Sequence, residues 1–247
     1  MPGREFQKYA VRGAYHWDAF RISARRHNPY LAGRYALTLE LLDKAGVEGD
    51  RALDIGCGDG ALSFLLAKDG WRVAGLDYSG AGLGLARKNF GREKASAGFM
   101  RGDSTMLPVK DKCLDAVVAA DIIEHLREPE RMLDEIARSL KTGGAAVITT
   151  PVKLTDTPLD PEHVREFTEA EFRKMLEARF SGVEILLSHP ADVMARYNKT
   201  YRIFGVFGRL RLYRYIYNIM SSLLGRNPFL SPDKGGGYTQ MSALCRK

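Results

Sequence analysis

The chain has 247 residues, 45% apolar and 27% charged, a composition of ordinary soluble domains that excludes disordered and collagen-like classes. Three cysteines, Cys57, Cys113 and Cys245, are too few and too scattered for a disulfide framework or a Cys-x-x-Cys metal site, so a reducing, cytoplasmic setting and no metal centre are expected. The formal charge of +7 invites a nucleic-acid reading, but the start MPGREFQKYAVRG reads as no signal peptide, no uncharged apolar run is long enough to span a membrane, and the basicity proves regional.

Residues 1 to 45 mix aromatics and arginines (Tyr15, His16, Trp17, Phe20, Arg21, Arg25, Arg26) before Ala36 to Leu42 reads as a helix ended by Gly46, a segment expected to form a helical lid. Arg51 to Ile55 is a short strand running into Gly56, Gly58 and Gly60, and Ala61 to Lys68 a helix closed by Gly70. Trp71 to Leu76 is a strand ending at Asp77, Leu83 to Phe90 a helix, Gly98 to Arg101 a strand, and Asp115 to Ala120 a strongly apolar strand. Glu130 to Leu140 is a helix stopped by Gly143 and Gly144, and Ala145 to Thr150 a strand stopped by Pro151. Strands alternating with helices predict βαβ units and a doubly wound α/β fold around a mostly parallel sheet.

After the proline-rich loop Asp156 to Pro161, Thr168 and Glu171 make a capping box for a helix over Glu169 to Ala178. Val183 to Leu187 and Tyr238 to Cys245 are strand candidates, so the core spans 46–190, its last strand lies in 238–247, and 191–237 is an insertion. From Arg196 to Lys247 ten Lys/Arg meet a single acid, Asp233. Residues 198–224 interleave Tyr201, Phe204, Phe207, Tyr213, Tyr215, Tyr217 and Met220 with Lys199, Arg202, Arg209, Arg211 and Arg214, without a single helical stripe. That mixture suits an anionic membrane surface, a phosphate-bearing ligand or an intramolecular helical lid, and nucleic acid is the weaker expectation.

The loop Leu53-Asp54-Ile55-Gly56-Cys57-Gly58-Asp59-Gly60-Ala61 puts glycines at a strand end, where backbone can turn tightly and a helix N-terminus offers free N–H groups. Read as G-x-G-x-x-A it also fits a dinucleotide site, with Asp77 placed for ribose hydroxyls. Asp54 separates the two readings, because a carboxylate two residues before the first glycine suits a cation.

Here the chain resembles the class I S-adenosylmethionine-dependent methyltransferases. The resemblance runs on through Val73-Ala74-Gly75-Leu76-Asp77, Arg101-Gly102-Asp103-Ser104-Thr105-Met106-Leu107-Pro108, Asp115 to Leu126 and Leu140 to Pro151, over about residues 45 to 190. It implies a seven-stranded sheet with an antiparallel last strand, and S-adenosylmethionine as cofactor. It implies that Asp54, Gly56, Cys57, Gly58 and Gly60 lie against the methionyl part and that Asp77, beside Tyr78, accepts the ribose hydroxyls. Asp103 would take the adenine amino group, with Gly102, Ser104 and Met106 around the base. Ala120, Asp121 and His125 follow the fourth strand, Tyr15 would lie over the cleft, and Arg34 would reach the donor carboxylate.

His125 and His163 are the candidate catalytic groups, each placed either to take a proton from the acceptor or merely to shape the pocket. The resemblance is closest to the small-molecule branch that includes quinone-pathway O-methyltransferases, so O-methylation of a small or lipid-linked acceptor is expected, in the cytoplasm or peripherally at the inner membrane surface. Neither the N-P-P-Y motif of amino-methylating nucleic-acid enzymes nor the acidic triplet of magnesium-dependent catechol enzymes is present. A binding protein for this donor or NAD without methyl transfer, or a nucleic-acid or protein methyltransferase, stays open as the alternative. Oligomeric state is not legible.

Overall fold

The computed structural model describes residues 8–20, 26–202 and 209–247, with 201, 202, 209 and 210 as backbone only. Arg21, Arg25, Phe204, Phe207 and the side chains of Tyr201, Arg202 and Arg209, named above, lie outside the described residues.

Two short helices, α1 (Lys8–Arg12) and α2 (Tyr15–Asp18), precede the long α3 (Pro29–Ala45). The helix α3 starts earlier than the apolar pattern suggested because Asn28 caps it, accepting from Leu31 N, and Pro29 fills the first turn, where a missing N–H costs nothing. Gly46 ends it in the left-handed conformation, φ 62°. Then follow β1 (Arg51–Ile55), α4 (Ala61–Lys68), β2 (Arg72–Asp77), α5 (Gly80–Glu93), β3 (Gly98–Arg101) and β4 (Leu114–Ala120). A 3-10 turn (Ile123–His125) leads to α6 (Pro129–Ser139), β5 (Leu140–Pro151), α7 (Glu169–Glu177) and β6 (Gly182–Pro190). The predicted capping box at Thr168 and Glu171 is formed in both directions.

The remainder is α8 (Ala191–Asn198), the two-residue strands β7 (Tyr201–Arg202) and β8 (Arg209–Leu210), α9 (Leu212–Leu224), a 3-10 turn (Pro228–Leu230) and β9 (Tyr238–Arg246). Seven strands form one sheet in the order β3-β2-β1-β4-β5-β9-β6, all parallel except β9, which is antiparallel to both its neighbours. The expected doubly wound α/β fold is therefore observed.

Gly143 and Gly144 do not separate helix from strand as predicted. They lie inside β5, which begins directly after α6 because Leu140 pairs with Leu114, across a register irregularity before Ala116 and Ala145 pair.

Parity along the strands sorts the core into two layers. Leu53, Ile55, Val117 and Ala119 pack with Leu133, Ile136, Phe172 and Leu176 of α6 and α7. Their sequence neighbours Ala52, Ala116 and Val118 pack on the other face with Leu41, Leu42, Leu66 and Phe90 of α3, α4 and α5. Trp17 belongs to this second layer, its ring 4.8 Å from Phe64 and 6.2 Å from Phe90. A third cluster, Val193, Tyr197, Tyr217 and Phe229, holds α8 and α9 together beside α3. No described helix is long and apolar enough to cross a membrane.

Candidate active site at the carboxyl edge of the sheet

The glycine loop after β1 is strapped to the end of β2. Gly56 N and Cys57 N both donate to Leu76 O, at 2.7 and 3.1 Å, and Gly58 N donates to Asp77 Oδ2 at 2.7 Å. The other Asp77 oxygen accepts from Ser79 N at 2.7 Å, so the carboxylate is held rigidly at the strand end while each oxygen keeps lone pairs for a ligand. Gly58 is obligatory on two counts: its φ is 52°, and a Cβ there would stand 1.7 Å from the Tyr9 hydroxyl. Cys57 is buried under β2, its thiol pushed up by burial.

Tyr9 was not read from the sequence, and it lies over this loop. Its ring stacks on Tyr15 at 5.4 Å, and its hydroxyl contacts His16 Nδ1 at 3.2 Å. Burial pushes the Tyr15 phenol up to about 12 and His16 down to about 3, so both are neutral near pH 7. Asp59 was also missed as a functional position. Its Oδ2 accepts from His16 N and Trp17 N, both at 3.0 Å, and so fastens α2 onto the glycine loop. Nothing local in the sequence joins residues 9 and 16 to residues 58 and 59; an acid inside a glycine motif reads as part of the motif.

Asp54 is buried, bonded to Ser63 Oγ at 2.6 Å, and raised to about 7, chiefly by burial. Asp59 rises to about 6 and Asp77 rises too, again chiefly by burial. Burial disfavours the charged form of all three clustered carboxyls, a cost that a cationic ligand against the loop would offset.

Farther along the edge, Gly102 N donates to Asp77 O at 3.2 Å, which brings the loop after β3 to the same end. Asp103 is exposed, with Oδ1 accepting from Thr105 N and Oγ1, both at 2.8 Å. Ser104 is buried beside it, whereas Met106 and Tyr78 form an exposed rim, with the Arg101 guanidinium 5.4 Å from the Tyr78 ring centroid. Ala120 ends β4, and Asp121 follows in the left-handed region, φ 51°. Asp121 does not stand free: it accepts from Thr149 Oγ1 and Gln240 Nε2, both at 2.7 Å, and pairs with Arg34. Arg34 thus stands at the cleft, but its NH1 is engaged by Asp121, while its Nε is buried without a hydrogen-bond partner.

The 3-10 turn after β4 carries Glu124 and His125. Val164 N and Arg165 N donate to Glu124 O at 2.8 and 3.2 Å, and Glu162 O bonds His125 Nδ1 at 2.9 Å. These bonds bring His163 against His125, ring centroids 5.0 Å apart. Burial lowers His125, and His163 Nδ1 is held by Glu166 Oε1 at 2.8 Å. Lys8 of α1 pairs with Asp160 at 3.2 Å and Glu162 at 2.6 Å. The helix α1 therefore bridges the cleft, Tyr9 on the glycine-loop side and Lys8 on the histidine side.

Residues 53–148 match the family of methyltransferase domains. A probable S-adenosylmethionine-dependent methyltransferase of Mycolicibacterium smegmatis is 35% identical over 142 residues, 56% of this chain and 53% of that protein. A ubiquinone biosynthesis O-methyltransferase of Coxiella burnetii is 30% identical over 104 residues, 42% of this chain and 44% of that protein. The matches thus span about half the length of these curated relatives. Among solved structures, phosphoethanolamine N-methyltransferase 2 of Haemonchus contortus, in complex with S-adenosyl-L-methionine, superposes with a TM-score of 0.65 at 17% identity, covering 98% of this chain and 58% of that one. Residues 53–148 thus match a methyltransferase domain, the similar curated proteins include S-adenosylmethionine-dependent methyltransferases, and the fold is that of solved methyltransferases.

Proposed function

We propose that the chain transfers a methyl group from S-adenosylmethionine to an oxygen of a small or lipid-linked acceptor. The observation that carries this reading is the juxtaposition, at one sheet edge, of an anionic glycine loop roofed by Tyr9 and Tyr15 with the histidine pair His125 and His163. When bound, the donor supplies a methyl group on a positively charged sulfur that is a good leaving group.

The chain's own residues hold and orient. Asp77 accepts the ribose hydroxyls, and Gly56, Cys57, Gly58, Gly60 and Ala120 line the methionyl side near Asp54. Gly102, Asp103, Ser104, Met106 and Tyr78 surround the base, and Arg34 Nε is the buried donor left for the carboxylate beside Asp121. The bridge of α1 excludes water. Aligning acceptor oxygen, methyl carbon and sulfur contributes about 7–11 kcal/mol at best. His163, oriented by Glu166, takes the proton that the acceptor hydroxyl gives up, with His125 beside it, worth about 10²–10⁴-fold.

The acceptor enters from the side of α9. Leu212, Tyr215, Ile216, Leu223 and Leu224 of that helix are exposed, while Tyr217 packs inward on Phe229 and the Arg214 guanidinium lies over the Tyr197 ring, so an apolar stripe faces outward beside Arg211 and Arg226. Such a helix suits the headgroup layer of an anionic membrane, and with it a lipid-linked acceptor and a peripheral location. Calorimetry with S-adenosylmethionine, its demethylated product and NAD tests the donor reading. Micromolar or tighter binding of the first two and none of NAD is expected; NAD binding alone would replace methyl transfer by a dinucleotide function.

A further inference from the structure

We infer that Glu124, His125 and His163 form a binding site for a divalent transition-metal ion, held by two imidazole nitrogens and one carboxylate oxygen. One such atom from each residue lies within 4.8 Å of the other two. Ligand atoms around a single zinc-like ion stand roughly 3 to 4 Å apart, so side-chain adjustments of about an ångström close the set.

Three further features of the structure belong to a metal site. First, Glu124 is fully buried and its Oε1 has no hydrogen-bond partner, although Oε2 accepts from Thr150 Oγ1 at 3.2 Å. A buried carboxylate oxygen without a donor is costly, and a cation is the partner that satisfies it. Second, each imidazole is anchored through Nδ1, His125 by the Glu162 carbonyl and His163 by the Glu166 carboxylate, so the arrangement that keeps these bonds presents Nε2 as the ligand. Carbonyl or carboxylate backing of a histidine is how metal sites fix the ring and strengthen its donor nitrogen. Third, the two ligand segments are stitched by backbone, with Val164 N and Arg165 N donating to Glu124 O. Preorganisation of this kind lowers the cost of gathering three ligands.

Two imidazoles and a carboxylate suit zinc, manganese, iron or cobalt in the divalent state, and a three-ligand set leaves a position open toward the acceptor side. The sequence hides the set, because its members stand at 124, 125 and 163 and match no metal spacing. The inference does not depend on the donor, and it excludes proton uptake by His163 while the ion is bound, since Nδ1 is held by Glu166 and Nε2 then lies on the metal; the base role proposed above belongs to the metal-free chain.

The full chain, stripped of metal by chelator and dialysis, is titrated with Zn²⁺ and with Mn²⁺ in a calorimeter, and Co²⁺ is followed by its visible absorption. One ion per chain is expected, with His125→Gln, His163→Gln and Glu124→Gln each weakening binding at least tenfold and removing the cobalt band. Glu166→Gln, which changes no ligand atom, is expected to weaken binding severalfold, and it keeps the test decisive should a ligand variant fail to fold by circular dichroism. Absence of stoichiometric uptake by the wild type, or unchanged uptake in both histidine variants, overturns the site. Failure of both metal-loaded and metal-free wild type to bind S-adenosylmethionine would instead overturn the methyltransferase reading and leave the ion site standing.

Discussion

Arg34 of α3 is ion-paired with Asp121, the residue that turns the chain out of β4 with φ 51°, and their side chains are only 7% and 16% exposed. Because Asp121 also holds Thr149 of β5 and Gln240 of β9, this pair joins the N-terminal helices to three strands at the mouth of the cleft. Removing one partner leaves the other charge buried, which costs about 3–5 kcal/mol in comparable cases. Asp121→Ala is therefore expected to lower the urea midpoint strongly, and the double variant Arg34→Met with Asp121→Ala to recover part of the loss. A single variant as stable as wild type would mean that the pair contributes nothing to folding.

Asp77→Ala is expected to weaken binding of S-adenosylmethionine by about 1–3 kcal/mol, through lost charge-assisted bonds to ligand hydroxyls. Since Asp77 accepts from Gly58 N on one oxygen and from Ser79 N on the other, Asp77→Asn keeps only one of these loop bonds and is expected to fall between wild type and Asp77→Ala. Unchanged affinity in both variants, by calorimetry, removes Asp77 from the site.

Much of this is legible in the sequence because its signals are local. The glycines at 56, 58 and 60, the capping box at 168 and 171 and the alternation of strands with helices are short-range patterns, and each forms where the sequence puts it. What escaped is tertiary or competitive. Tyr9 meets Gly58 across 49 positions of sequence, so no window contains the contact. Gly143 and Gly144 looked like a break, yet pairing along β4 carried the strand through them. Residues 198–224 show no single helical stripe because α9 is apolar on two sides, one packed on Phe229 and one exposed.

The pH response of Asp54 has a definite sign. Its carboxyl is raised to about 7 in the folded chain, mainly by burial, against an ordinary value near 3.8. Between those values the folded state holds a proton that the unfolded chain has released, so this group's contribution to stability falls as pH rises, by up to about 1.4 kcal/mol per pH unit. His16, lowered to about 3, and His189, lowered to about 4, act in the opposite direction, which makes a raw pH profile ambiguous. Asp54→Asn isolates the effect, because asparagine cannot ionise. The variant should gain stability relative to wild type between pH 5 and pH 8 in urea melts, and a constant difference would show that Asp54 titrates normally.

His163→Ala and His125→Ala should lower turnover with the acceptor by about 10²–10⁴-fold where the histidine takes the proton, while donor affinity stays near that of wild type. Glu166→Gln should lower turnover less, since it loosens the orientation of His163 without removing the ring. Full turnover in both histidine variants would leave alignment alone as the source of the rate.

The exposed stripe of α9 carries the last prediction. Leu212, Ile216 and Leu223 lie on one side at helical spacing and are 44%, 38% and 60% exposed, beside Arg211 and with Arg226 just past the helix end. An apolar stripe enters the acyl boundary, and each basic residue near an anionic surface adds about 1 kcal/mol, which salt screens. Binding to vesicles containing phosphatidylglycerol should therefore exceed binding to neutral phosphatidylcholine vesicles, measured by co-sedimentation. Arg211→Gln with Arg226→Gln should weaken it by about 2 kcal/mol. Ile216→Glu with Leu223→Glu should abolish it while donor binding is kept, because the proposed donor residues of the glycine loop and Asp77 lie at the ends of β1 and β2, away from α9. Should the wild type ignore anionic vesicles, α9 is a cover over the acceptor side of the cleft and the acceptor is a water-soluble molecule.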